Sequence, residues 1–300
     1  MAKNGGGCLL VVVVLAAAVG FGYYKTQNGG SEAAPAPPGS EIGGGTGRYV
    51  ALGDSYTSSP KTGKQAGEPV GCARSDNNYP HLVAAEINPA EFADVSCSGA
   101  VTASITGSQK TTNGTNPPQL NAVNAATTLV TLGIGGNDVG FIGFAGECVA
   151  GSPNAAPCKE KFTAGGKDQL AAKIDATGKK VADLLKKIRG KAPKAKIIVV
   201  GYPTVLPDGE GCWPALPVGV PDVAYLRDAL GDLNQTLSDT ADKNDAGFAD
   251  TAAPTKGHDV CTNPGTRWVE GLVATSPAIG LHPNAKGQQA MAEAVQKVVS

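Results

Sequence analysis

The sequence predicts an α/β domain in which a parallel sheet is covered by helices on both faces, and three observations carry that prediction. Short apolar runs alternate with amphipathic segments along most of the chain. One run, 196–202 (KIIVVGY), reads as a strand buried on both faces and directly follows a helical segment. Gly-rich loops follow three successive strand candidates. A helix leading into a fully buried strand implies a crossover connection, and crossovers build parallel sheets.

Taken in chain order, 48–53 (RYVALG) is a β-type run broken by Gly53-Asp54-Ser55. The segment 77–87 starts on a polar residue and spaces Leu82, Val83 and Ile87 as one helical face. A second short strand is read over 92–97, and 127–134 (TTLVTLGI) is a β-branched run ended by Gly135-Gly136-Asn137-Asp138. Over 167–189, Leu170, Ile174, Val181, Leu184, Leu185 and Ile188 recur at helical spacing ahead of the buried strand. Two further helices are read over 221–243, opened by a proline that suits a first turn, and over 284–299, with Met291, Ala294, Val295 and Val298 on one side. No fixed-period repeat is present, which removes solenoids and propellers. Open α/β sheets bind ligands beyond the C-terminal ends of their strands, so Ser55, Gly99 and Asn137 are expected to emerge at one place.

The front of the chain is compositionally different. Lys3 precedes an uninterrupted apolar run from Cys8 to Tyr24, the order of a signal peptide or a membrane anchor, so 1–25 reads as an export leader. The run is longer than a signal core of roughly 7–15 residues and sits at the low edge of the roughly 17–25 of a spanning helix, so cleavage and anchoring both stay open. Residues 26–47 are mostly Gly, Ser, Ala, Pro and Glu, a flexible spacer that would hold a globular domain over 48–300 off a membrane or cell wall.

Cysteine usage agrees with export. Cys8 lies in the leader, and the remaining Cys72, Cys97, Cys148, Cys158, Cys212 and Cys261 form an even set, as disulfides require. Sequence leaves the pairing open, although Cys148 and Cys158 enclose a short segment that suits a local bridge. No C-x-x-C pair occurs and only three histidines are present, so no metal site is expected. Lys and Arg number 25 against 26 Asp and Glu, a balance without the basic footprint of a nucleic-acid binder. Neither a phosphate-binding loop nor a dinucleotide turn appears, so no cofactor is implied. A neutral or apolar small substrate fits this balance, and nothing in the sequence indicates the oligomeric state.

A serine hydroxyl is a weak nucleophile that needs an adjacent base and a sharp, exposed turn, and Gly53-Asp54-Ser55 after a strand supplies the turn. It is not the G-x-S-x-G elbow, because Thr57 stands two residues after the serine. The base must be one of His81, His258 and His282. His81 falls in a helix beside Pro80, and His258 lies in a loop close to Cys261, whereas His282 stands in a loop just ahead of the last helix. Gly99 and Asn137 are candidate oxyanion donors: a glycine lets its N–H approach the reacting oxygen, and an Asn amide reaches in from a Gly-rich loop.

These segments, GDSY at 53–56, SCSGA at 96–100, GGND at 135–138 and HPN at 282–284, resemble in order the four blocks of the SGNH/GDSL hydrolase superfamily. CSGA, the GHDVC segment at 257–261 and the six cysteines are most similar to secreted actinobacterial esterases and lipases of that superfamily. The resemblance implies a three-layer α/β/α sandwich with a central parallel sheet, the flavodoxin-like SGNH hydrolase fold. It implies Ser55 as nucleophile and oxyanion donor, Gly99 and Asn137 as the other donors, and His282 as base. It also implies bridges of Cys72 with Cys97, Cys148 with Cys158, and Cys212 with Cys261.

The chain departs from the family at Ile279, where an aspartate three residues before the histidine is usual. Something must still accept the imidazole Nδ1–H, because the wrong tautomer costs roughly 10⁴-fold in the serine-protease example. The backbone carbonyl of Ile279 is the expected acceptor, and Asp259 is its rival. Ser58-Ser59-Pro60 stands where relatives often have a glycine, which touches the shape of the acyl pocket. The function expected is an exported serine ester hydrolase acting on small-molecule or lipid esters through an acyl-enzyme. Two alternatives differ from it: a non-catalytic envelope-binding module, and an acyltransferase using the same intermediate.

Overall fold

The first strand shows how one segment serves two layers. In β1 (Arg48–Gly53) successive side chains point to opposite faces, so Tyr49 and Ala51 enter one apolar cluster while Val50 and Leu52 enter the other, all four fully buried. The computed structural model describes residues 47–300. The leader over 1–25 and the spacer up to residue 46 lie outside the described residues. No helix among the described residues is long and apolar enough to cross a membrane.

After β1 comes the single turn α1 (Ser55–Ser58), then α2 (Tyr79–Ile87). Asn78 caps α2 by accepting the N–H of His81 at 3.1 Å, with Pro80 in the first turn. β2 (Glu91–Asp94) and α3 (Thr102–Thr106) follow, then an antiparallel hairpin of β3 (Gln109–Thr111) and β4 (Gly114–Asn116). β5 (Thr127–Gly133) leads into α4 (Gly136–Val139) and two short helices, α5 (Phe144–Glu147) and α6 (Pro157–Thr163). The long α7 (Gln169–Lys191) begins where the Asp168 carboxylate accepts two backbone N–H groups, and it ends with Arg189 and Lys191 against the negative end of its dipole. The remaining elements are β6 (Lys196–Val200), α8 (Val220–Asp242), β7 (Gly247–Ala249), α9 (Ala252–Thr255) and α10 (Ala285–Val299).

The main sheet has the order β2-β1-β5-β6-β7, and each neighbouring pair runs parallel. On one face α7 and α8 bury Leu184, Leu185, Leu233 and Leu237 with Val50, Val130 and Ile197. On the other, α2 and α10 bury Tyr79, Val83, Met291 and Val295 with Tyr49, Leu129 and Ile198. Each such aliphatic side chain contributes about 1.5–3 kcal/mol. The result is the three-layer α/β/α sandwich that the sequence predicts.

Three details differ from the sequence expectations. β2 stops at Asp94, whose Oδ1 captures the N–H and hydroxyl of Ser96 at 3.0 and 2.6 Å and turns the chain. The hairpin β3–β4 and the edge strand β7 were not expected; each strand has only three residues, too few for a periodic signal. By contrast, the six cysteines among the described residues form the bridges Cys72–Cys97, Cys148–Cys158 and Cys212–Cys261, the pairing that the resemblance implies.

Candidate active site

The Gly53-Asp54-Ser55 turn is built by crowding. A Cβ on Gly53 would lie 2.1 Å from the Thr57 hydroxyl and 2.7 Å from the Gly133 carbonyl, so only glycine fits where β1 meets β5. The Gln119 amide grips both polar groups of Gly53, accepting its N–H at 2.8 Å and donating to its carbonyl at 3.0 Å. Asp54 then caps α1, its Oδ1 accepting the N–H of Tyr56 at 2.9 Å. Ser55 is the first residue of α1, where a backbone N–H has no helical acceptor, and that N–H has no acceptor among the described residues.

His282 meets this turn from the opposite end of the chain. Its Nε2 lies 2.8 Å from Ser55 Oγ, and its Nδ1 lies 2.8 Å from the carbonyl of Gly280. The Nδ1 acceptor is therefore not the Ile279 carbonyl expected from the sequence, which instead accepts the N–H of His282 at 3.3 Å and closes a tight turn. The physical reason is the left-handed backbone of Leu281, φ 61°, which turns the preceding peptide so that Gly280 rather than Ile279 faces the ring. Asp259, the rival acceptor, uses Oδ1 on the N–H of Cys261 at 2.9 Å and makes no hydrogen bond to His282. Burial lowers the His282 pKa below its ordinary 6.5, and the Gly280 carbonyl partly offsets this by favouring the cation. The shift favours the neutral ring, the form able to accept a proton.

A clip fixes the His282 loop. Glu270 donates its N–H to the His282 carbonyl at 3.0 Å and accepts the N–H of Leu281 at 3.0 Å. The fully buried Glu270 carboxylate accepts from Asn284 Nδ2 at 2.8 Å and from the N–H of Thr275 at 2.7 Å. Burial alone would raise this carboxyl, but those hydrogen bonds outweigh it and hold the group below its usual range.

Gly99 has φ +77°, a left-handed conformation suited to glycine, and its N–H has no acceptor among the described residues. Its loop is pinned by Cys97 donating to Gly53 at 2.9 Å, by Ser98 donating to Cys72 at 3.0 Å, and by the Cys72–Cys97 bridge. Asn137 reaches the same loop, donating through Nδ2 to the Ala100 carbonyl at 2.8 Å. Asp138 adds a second tie, accepting from the N–H and hydroxyl of Thr102 at 2.8 and 2.6 Å. The other histidines lie in separate contacts. His81 meets Asn78 Oδ1 through Nδ1 at 2.6 Å, and His258 stacks on Trp268 with ring centroids 3.7 Å apart.

Sequence reasoning missed two tyrosines. Tyr202, just beyond β6, donates to Asp54 Oδ2 at 2.5 Å and accepts the N–H of Gly136 at 2.7 Å. Burial pushes the Asp54 carboxyl up to about 7, against the pull of the Tyr202 hydroxyl and the Tyr56 N–H. Tyr56 donates to the Leu281 carbonyl at 2.7 Å and lies against the His282 ring, centroids 4.7 Å apart. Both stand directly after a motif or a buried strand, and that position beyond a strand end was the available signal. Gln119, in an irregular loop, carried none.

A cleft opens at Ser55 and is walled by Phe141, Phe144, Leu216, Val218, Leu226 and Leu230 among others. Asp54 is the one ionisable carboxylate among the residues that line it, and it is 1% exposed. Such a wall suits a hydrocarbon chain and disfavours a charged one.

The chain is 36% identical over 260 residues to Lipase 2 of Streptomyces coelicolor, covering 84% of this chain and 85% of that relative. Its fold is similar to phospholipase A1 from Streptomyces albidoflavus NA297, with TM-score 0.67, 29% identity and coverage of 84% of this chain and 98% of that one. It is also similar to an extracellular lipase from Streptomyces rimosus, with TM-score 0.64, 26% identity and coverage of 84% and 99%. Because the GDSL-like Lipase/Acylhydrolase family model matches residues 51–290, the chain belongs to that family and is a carboxylic ester hydrolase.

Proposed function

We propose that this protein is an exported esterase or lipase that cleaves acyl esters by a Ser55–His282 dyad. The observation that carries the proposal is the 2.8 Å contact between His282 Nε2 and Ser55 Oγ at the mouth of an apolar cleft. Neutral His282, its Nδ1–H donated to Gly280, takes the Ser55 proton on Nε2 as Oγ bonds to the ester carbonyl carbon. The carbonyl oxygen becomes an oxyanion facing the N–H groups of Ser55 and Gly99 and the Asn137 amide. His282 then protonates the leaving alcohol as its C–O bond breaks, leaving an acyl-enzyme. Water repeats the sequence, giving its proton to His282, and the proton returns to Ser55 as the acid departs.

The acyl portion of the ester would lie along the cleft, which favours lipid-type esters over small polar ones. The leader over 1–25 and the even set of cysteines support export, and the spacer over 26–47 supports a tether at the cell envelope. The non-catalytic envelope-binding alternative rested on the missing aspartate at 279. A main-chain carbonyl at hydrogen-bond distance from Nδ1 removes most of that ground.

The test is hydrolysis of short- and long-chain p-nitrophenyl esters by the full chain beside Ser55→Ala and His282→Ala. Each variant should lose about 10³-fold or more in turnover, as losses of such groups do elsewhere. Turnover retained in Ser55→Ala, or a folded wild type that neither hydrolyses these esters nor reacts with a fluorophosphonate, would sink the proposal.

A further inference from the structure

We infer that Tyr56 is a positioning residue that holds His282 over Ser55 in place of the missing carboxylate; this rests on the dyad reading above. Tyr56 follows the nucleophile directly in the chain, so whatever it grips is tied to Ser55 by one peptide unit. Its hydroxyl donates to the Leu281 carbonyl at 2.7 Å, the carbonyl of the peptide that joins Leu281 to His282. Its ring packs on the imidazole with centroids 4.7 Å apart at 32°, and its outer edge meets Tyr202 in a T-shaped contact at 5.2 Å. Its own carbonyl accepts from Gln288 Nε2 at 3.1 Å, which fixes the backbone of Tyr56 against α10.

The grip matters because of the conformation it holds. Leu281 has φ +61°, a region that disfavours any residue with a Cβ. That conformation aims the Gly280 carbonyl at Nδ1 and the Leu281 carbonyl at Tyr56. Relaxation of Leu281 would carry Gly280 away from the imidazole, so contacts from outside the turn must hold it. The Glu270 main chain supplies one by accepting the Leu281 N–H at 3.0 Å, and the Tyr56 hydroxyl supplies the other. An aspartate would fix the ring by its own charge. Here a neutral carbonyl fixes it, so the geometry of that carbonyl has to be maintained from the nucleophile side.

Tyr56→Phe removes the hydroxyl and keeps the ring. Turnover should fall about tenfold, the loss of roughly one hydrogen bond's worth of positioning, while KM for p-nitrophenyl esters stays the same because the cleft wall is intact. Rates are referred to sites titrated to completion with a fluorophosphonate, so that only folded molecules count. The Nδ1–H proton resonance of His282 should be sharp in the wild type and should broaden or vanish in Tyr56→Phe. A kcat within twofold of wild type, or a lower kcat with an unchanged Nδ1–H resonance, overturns the inference. Ser55→Ala in the same series tests the dyad separately: its inactivity beside a fully active Tyr56→Phe rejects only the role of Tyr56.

Discussion

Tyr202 donates its hydroxyl proton to Oδ2 of Asp54 across 2.5 Å while taking the N–H of Gly136 across 2.7 Å. One phenol therefore ties the loop that bears Ser55 to the loop that bears Asn137. Tyr202→Phe leaves a buried carboxylate short of a donor and a buried N–H without an acceptor, which costs about 1–3 kcal/mol per group. The variant should unfold at lower urea concentration and turn over more slowly, since the oxyanion donors lose their common brace. Unchanged urea midpoint and turnover would refute this.

On the proposed dyad, the lowered pKa of His282 would set the acid limit of activity. The base works in its neutral form, so kcat/KM should reach half its plateau below pH 6.5, the ordinary histidine value. Because the folded pKa is depressed, His282 contributes stability above pH 6.5 that is lost as the pH falls through its folded value. A pH profile of kcat/KM with a half-point above 6.5 contradicts the buried, carboxylate-free environment.

Asp54 acts in the opposite sense. Its pKa is raised from 3.8 to about 7, so its contribution is fully present below pH 3.8 and is lost as the pH rises through about 7. Relative to wild type, Asp54→Asn should gain melting temperature as the pH rises from 4 to 7, because only in wild type does ionisation of residue 54 favour the unfolded chain over that range. Parallel melting curves across that range would show that Asp54 is already ionised when folded.

The Nδ1 acceptor belongs to the main chain, so side-chain changes near it should be mild. Ile279→Ala and Asp259→Ala are expected to keep kcat within about twofold, with Asp259→Ala less stable by about 1 kcal/mol because the Cys261 N–H loses its acceptor. A turnover loss of about 10⁴-fold in Asp259→Ala, the size seen when a triad acid is removed, would restore the carboxylate reading.

Gly99→Ala separates strain from catalysis. The nearest heavy atom to an added Cβ is 3.8 Å away, so no clash arises, and the cost is the left-handed φ of +77°, about 1–2 kcal/mol. If that strain relaxes and turns the N–H of residue 99 away from the oxyanion, turnover should fall by about tenfold or more while the fold persists. Equal turnover in the variant would show that the turn keeps its shape with a Cβ, so that the strain of the left-handed φ does not reach the reaction.

Much of the architecture was legible because its signals are periodic. Ile197, Ile198, Val199 and Val200 declare a strand buried on both faces, and Leu184, Leu185 and Ile188 declare the helix before it. The Ser55, Gly99, Asn137 and His282 segments were legible as ordered motifs. The exchange of Ile279 for Gly280 was not, because it depends on one positive φ at Leu281, a residue type that gives no warning of it. Tyr202 and Gln119 were hidden for a related reason: they act across 148 and 66 residues of sequence, and only the folded sheet brings them to the turn.

The same sequence distances govern when the site comes into being. Ser55 and His282 are 227 positions apart, and Gln288 on the closing helix is what anchors the Tyr56 backbone. During synthesis Ser55 emerges early, yet the imidazole that meets its hydroxyl follows only when almost the whole polypeptide has been made. On the proposed dyad, a nascent or unfolded chain therefore carries an ordinary alcohol, and esterolytic power waits until the two ends of the domain have come together.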